Sequence, residues 1–249
     1  MELPQGVFGI SLATYLLPTL SSIAAEKNWD EFRGTLRQGI GYLLLVNSLA
    51  AVLLFTLAEP MIRLLFERGK FNMNSTADTT FALQCLAFSL IGYSLVNILA
   101  RAFFALKDTA TPMKISIACL ALNLILAITL VFPLRQGGLG LANTFSSTAN
   151  CLLLLFALRK KLKTLALAPL RPTLLPLAGA ALLAGLTAWF TCRVWTAHLG
   201  HANLWLKLGE VFVPMIAASL VFSATALAAR IPAALELKDL LWSKFSHQD

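Results

Sequence analysis

Residues 2–25 read ELPQGVFGISLATYLLPTLSSIAA. The stretch is long and apolar enough to cross a bilayer, for which roughly 20 residues suffice. It nonetheless opens on Glu2 and carries Pro4, Gly6, Gly9 and Pro18, with Gln5, Ser11, Thr14, Thr19 and Ser21 between them. Proline removes a backbone donor and kinks a helix, and glycine permits bending and close approach. A plain anchor needs neither. A kinked structural helix and a bendable helix on a transport cavity both account for the pattern. No basic stretch precedes the apolar run, and the run is longer than the core of a secretory signal, so it is no ordinary signal peptide.

The same apolar character recurs along the chain. Of 249 residues, 58% are hydrophobic and 13% charged, with a mean hydropathy of +0.75. A soluble domain carries about 25% charge. The chain is therefore read as an all-α polytopic membrane protein, because a helix closes all its backbone hydrogen bonds internally. A barrel would show shorter, alternating segments. Seven segments reach spanning length: 3–25, 40–65, 79–106, 115–134, 139–158, 174–194 and 208–229.

The net charge of +8 does not point to nucleic acid. The basic residues flank apolar segments and form no aromatic-interleaved face. Numbering the connections in turn places Lys27, Arg33, Arg37, Arg101, Lys107, Lys114, Arg159, Lys160, Lys161, Lys163, Arg171, Arg230, Lys238 and Lys244 on one side. The other side keeps Arg63, Arg68, Lys70, Arg135, Arg193 and Lys207. Fourteen against six makes the first side cytoplasmic, with the C-terminus inside and the N-terminus outside. The run RKKLKTLALAPLRP, residues 159–172, separates five helices from a terminal pair. It is read first as a topology signal and second as a contact for anionic lipid.

Catalytic constellations are sparse. There is no GxSxG, P-loop or HExxH, and no paired carboxylates at helical spacing within an apolar segment, so no enzymatic activity is expected. His198 and His201 alone make an incomplete metal site. GGLGLANT from Gly137 reads as a turn opening a helix. Cys85, Cys119, Cys151 and Cys192 form no CxxC pair and read as small core residues.

Polar residues inside the apolar segments are more informative. Asn47, Gln84, Asn97, Asn123, Asn143, Ser146, Ser147, Thr148 and Asn150 join those of the first segment. Polar groups at depth face partner helices or a hydrated cavity. Arg101, about a turn and a half before Lys107, is either a snorkelling interfacial residue or a cation on a cavity wall. In the terminal pair, AGAALLAGLTA places Ala180 with Ala184 and Ala181 with Gly185 at four-residue spacing, which suits tight helix packing.

ELPQGVFGISLATYLLPTLS from Glu2, LFERGKF from Leu65 and ARAFFALKDTATPMKI from Ala100 together resemble the MurJ/MviN family. These are lipid II flippases of bacterial peptidoglycan synthesis, within the superfamily of multidrug, oligosaccharidyl-lipid and polysaccharide exporters. The resemblance implies two six-helix lobes and a terminal helix pair. Residues 1–158 would be a partial second lobe of five helices, 159–173 a basic cytoplasmic linker, and 174–249 the terminal pair and cytoplasmic tail. The implied activity is transfer of the undecaprenyl-pyrophosphate-linked peptidoglycan precursor from the inner to the outer leaflet of the cytoplasmic membrane. It proceeds by alternating access, without cofactor or metal, on membrane potential or a cation. Glu2, Gln5, Asn97 and Arg101 are the expected cavity-wall residues. The family's first lobe and its cavity arginine have no counterpart in this sequence, so the implied partners are a separately encoded N-terminal lobe, the lipid-linked precursor and membrane lipids. Two alternatives within this reading are an exporter of another polyprenyl-linked oligosaccharide or of a drug, and an inactive truncated product. A membrane enzyme acting on lipid-linked sugars would need converging acids or histidines, and the sequence has none.

Overall fold

The computed structural model describes residues 11–66, 73–163, 171–200 and 203–246. Among the described residues there are ten helices and no strand: α1 (Ser11–Ala25), α2 (Trp29–Thr56), α3 (Ala58–Phe66), α4 (Met73–Ala87), α5 (Ser89–Ala105), α6 (Ala110–Leu134), α7 (Gln136–Leu162), α8 (Arg171–His198), α9 (Leu204–Ala228) and α10 (Pro232–Ser246). Six spans are long and apolar enough to cross a membrane, with α4 and α5 together making one of them. A shorter apolar helix, Leu16–Ala25, precedes them. The fold is thus the expected all-helical membrane architecture. The first expected segment is described only from Ser11 onward.

Several helices run past the apolar stretches that announce them. The segment expected at 40–65 begins at Trp29 and stops at Leu57. Its start is fixed by Asn28, whose Oδ1 accepts from the Glu31 amide while its Nδ2 donates to the Glu31 carboxylate, close to a capping box. Asp30 and Glu31 in the first turn suit the positive end of the helix dipole. After Leu57, Pro60 sits in the first turn of α3, where its missing N–H is not needed. The segment expected at 79–106 is broken at Phe88, between α4 and α5.

One helix organises the interior. On one face of α2, Phe32, Leu36, Ile40 and Leu43 pack with Leu16 and Leu20 of α1, Leu99 and Phe103 of α5, and Leu154 and Leu158 of α7. On another face, Leu45, Leu49, Val52 and Leu53 meet α8 and α9. There Ala180, Ala181, Ala184 and Ala188 of α8 and Ala218, Phe222 and Ala226 of α9 are buried. A Cβ added at Gly185 would come within 2.9 Å of Val52 Cγ1. The expected small-residue stripe therefore brings α8 onto α9 and α2, by van der Waals fit rather than by hydrophobic drive.

The connections that sequence places on one side gather at one end of the bundle. Arg33 of α2 donates to the Leu162 carbonyl at the end of α7 at 2.9 Å. Lys161 of α7 reaches Asp108 between α5 and α6 at 2.6 Å. Gln38 of α2 donates to Glu236 of α10 at 2.7 Å. Three helices finish here in the same way. The amides of Asn28, Asp108 and Ile231 bond back to the carbonyls of Ile23, Phe103 and Ala226, and Lys27, Lys107 and Arg230 take φ of 58°, 57° and 51°. These are Schellman closures, in which glycine is usual. A left-handed non-glycine residue costs about 1–2 kcal/mol, and a cation there is offset by the negative end of the helix dipole. At the other end, the turn between α8 and α9 uses Gly200, φ 68°.

Candidate functional site

Of the expected cavity residues, Glu2 and Gln5 lie outside the described residues. Asn97 and Arg101 both lie on α5, which packs against α1, the helix that completes the opening motif. Ile98, Leu99, Ala102 and Phe103 turn inward. Tyr93, Asn97 and Arg101 follow one another at four-residue spacing on a different stripe. Tyr93 is 41% exposed, and Asn97 and Arg101 are half-buried. Among the described residues, neither Asn97 nor Arg101 has a side-chain hydrogen bond or ion pair. A guanidinium and an amide thus share one helix face.

Tyr93 connects this stripe to a polar cavity of about 180 Å³ between α5, α6 and α7, lined by Ser116, Asn123, Asn143, Ser147 and Asn150. Asn143 Oδ1 accepts from Tyr93 Oη at 2.9 Å and from Asn123 Nδ2 at 3.0 Å. Asn150 Nδ2 contacts Ser116 Oγ at 3.5 Å, and its buried Oδ1 has no partner. The asparagines of α6 and α7 therefore converge. Most hydroxyls do not: Ser21, Thr56, Thr129, Thr148, Thr187 and Ser219 each turn back to the carbonyl four residues earlier. Ser146 and Thr144 bridge helices instead, through the carbonyls of Cys119 and Cys85. GGLGLANT serves close approach: a Cβ at Gly140 would lie 2.8 Å from the Ala82 carbonyl of α4.

Three polar ties escape a reading of the sequence. Arg63 of α3 donates to Glu210 of α9 at 2.8 Å and also to Glu59. Glu210 is only 1% exposed and the Arg63 side chain 14%. The signal was present, since Glu210 is the one acid in α9. Tyr42 and Gln38 of α2 hold Glu236 of α10. Asp108 accepts from Lys161 and from the amide and hydroxyl of Thr111. The Lys161 hydrogen bond, followed by the Thr111 amide, holds its carboxyl down at about 2.

A family model described as lipid II flippase MurJ matches residues 1–208. The chain belongs to the MurJ lipid II flippase family. Within the MurJ family, the probable lipid II flippase MurJ of Haemophilus influenzae is 34% identical over 166 residues, covering 64% of this chain and 32% of that protein. The probable lipid II flippase MurJ of Synechocystis sp. is 26% identical over 242 residues, covering 97% of this chain and 45% of that protein. A solved structure, lipid II flippase MurJ in an inward closed conformation, matches with a TM-score of 0.68 at 22% identity, over 91% of this chain and 45% of that one. This likeness is one of fold. The chain spans 32–45% of the length of these MurJ proteins.

Proposed function

We propose that this chain forms one half of a lipid II flippase and moves an undecaprenyl-pyrophosphate-linked peptidoglycan precursor from the inner to the outer leaflet by alternating access. No bond is made or broken. The observation that carries this reading is the stripe Tyr93–Asn97–Arg101 on α5, packed beside α1, within a chain of the MurJ family. A pyrophosphate sugar headgroup needs a hydrated wall with a cation and hydrogen-bond donors. Arg101 and Asn97 supply both, and their side chains are uncommitted. Glu2 and Gln5 at the start of α1's motif complete this wall. A lobe equivalent to the rest of the longer relatives faces it and closes the cavity, and the two rock about it.

Residues 1–158 act as the transport lobe, 159–173 as its cytoplasmic link, and 174–249 as a terminal pair and tail. The end to which the positive-inside reading of the sequence assigns fourteen of the twenty cations is the one proposed to face the cytoplasm, together with the C-terminus. In a bacterium depleted of its own flippase, this chain alone is expected not to restore growth. Co-expression with a first lobe from a full-length relative is expected to restore it, and Arg101→Ala to abolish that rescue while leaving the protein in the membrane. Rescue by this chain alone, or full rescue by the Arg101→Ala chain, overturns the reading.

A further inference from the structure

A second polar site lies at the basic end, on the side of α2 away from the α5 stripe. A cavity of about 430 Å³ opens between α2, the start of α8 and the start of α10. Arg37 and Glu236 both line it, yet they form no ion pair with each other. Arg37 is half-buried and, among the described residues, makes no side-chain bond. Glu236 is held from one side only: Gln38 Nε2 and the Tyr42 hydroxyl both donate to Oε2, and Oε1 accepts nothing. A fixed cation and a fixed anion thus share one cavity across a gap. Gly34 and Gly41 also line it beside Arg37 and Gln38, and a Cβ at Gly34 would meet nothing within 4 Å.

Opposite charges that share a cavity without an ion pair between them suit a ligand that carries both. A purely anionic ligand would meet Glu236, and a purely cationic one Arg37, each at a cost in repulsion. The cavity sits at the level of the helix ends, where headgroups lie. Thr173 lines the cavity, and Leu174 and Leu175, next in the chain, are 47% and 82% exposed, so an alkyl chain leaving the cavity has apolar surface nearby. The volume is ample for a headgroup.

We propose that this cavity binds the phosphoethanolamine headgroup of an aminophospholipid, with the phosphate on Arg37 and the ammonium on Glu236 Oε1. The bound lipid ties α10 and the terminal pair to α2. The site shares no residue with the transport face, so it stands or falls apart from the flippase reading.

Native mass spectrometry of the purified full chain, titrated with phosphatidylethanolamine or phosphatidylglycerol, tests this. Phosphatidylethanolamine is expected to be retained about tenfold better, the factor lost with one charged hydrogen bond. Arg37→Gln should weaken both lipids. Glu236→Gln should weaken phosphatidylethanolamine about tenfold and, by removing the repulsion, retain phosphatidylglycerol at least as well as the parent. Tyr42→Phe loosens the same clamp but keeps both charges, so it should keep the preference. Should Tyr42→Phe abolish it, the effect is one of fold and the assignment falls. Equal retention of the two lipids, or retention of phosphatidylethanolamine unmoved by both charge variants, also overturns it. Glycerophosphoethanolamine separates a membrane source from a soluble one: competition much weaker than the lipid's supports the lipid, and equal competition overturns it.

Discussion

The two faces of α2 solve the same packing problem with opposite materials. Toward α1, α5 and α7 it interlocks large side chains, with Phe32, Leu36 and Leu43 against Leu99, Phe103 and Leu154. Toward α8 and α9 it meets alanines, and Gly185 lets the backbone come close. The first face lies in the unit that carries the asparagine cavity and the Arg101 stripe. Beyond the second face, the terminal pair holds one deep charge among the described residues, Glu210, already neutralised by Arg63. Large side chains leave room to place polar groups beside the core and still close it. A small-residue seam leaves none, so charge is admitted only as a finished pair.

The largest expected effect is at that pair. Arg63→Ala would leave Glu210 buried without its partner, and stranding a buried charge costs about 3–5 kcal/mol. The melting temperature of the purified chain should fall steeply. Restoring apolarity with Arg63→Leu plus Glu210→Leu should recover most of the loss. If Arg63→Ala melts like the parent, the pair is not holding α9 to α3, and the contrast between the two faces fails at its sharpest point.

The next effect sharpens the contrast directly. Leu99→Ala opens a cavity in the large-residue face and should cost about 2–5 kcal/mol. Ala184→Leu overfills the alanine seam and should cost about 1–3 kcal/mol. The two should also differ in kind. Cysteine cross-linking between α8 and α2 should fall in the Ala184→Leu chain and stay unchanged in the Leu99→Ala chain. Equal cross-linking in both would mean that the seam is not a backbone-approach interface.

The difference between the faces also decided what the sequence could tell. The fold class was legible, because hydrocarbon allows a spanning chain little besides helices. So was the alanine seam, because its spacing is local and its residues are unambiguous. Helix limits were less legible: Asn28 and the polar first turns of α2 continue the helix after hydropathy has fallen, and Leu57–Pro60 end it before hydropathy does. Of the candidate site, Asn97 and Arg101 fall on one face of one helix, which periodicity alone predicts. The pairings of Asn143 with Tyr93 and Asn123, of Arg63 with Glu210 and of Glu236 with Tyr42 were hidden. Each joins different helices, and a single chain carries no record of which polar residues meet.

The smallest expected effect separates the exposed end of the bundle from its buried pair. Asp108 and Lys161 join the α5–α6 connection to the end of α7, with the Lys161 side chain 38% exposed. The Asp108 carboxyl is held near 2, below the 3.8 of a free aspartate, by Lys161 first and the Thr111 amide second. A depressed carboxylate contributes stability above its unfolded value and loses it as pH falls through the folded one. The contribution is therefore present at pH 5 and above, and is lost between about pH 4 and pH 2. Solvent screening keeps it to about 1 kcal/mol or less, as for exposed pairs generally. Asp108→Asn should lower the melting temperature slightly at pH 7 and at low salt. It should leave a chain whose melting falls less between pH 4 and pH 2 than the parent's, and 0.5 M salt should shrink the neutral-pH difference. The Arg63–Glu210 pair, shielded from water, should be nearly indifferent to the same salt. A salt response as large at Arg63 as at Asp108 would mean that both pairs are wetted alike and that the terminal pair has no dry seam.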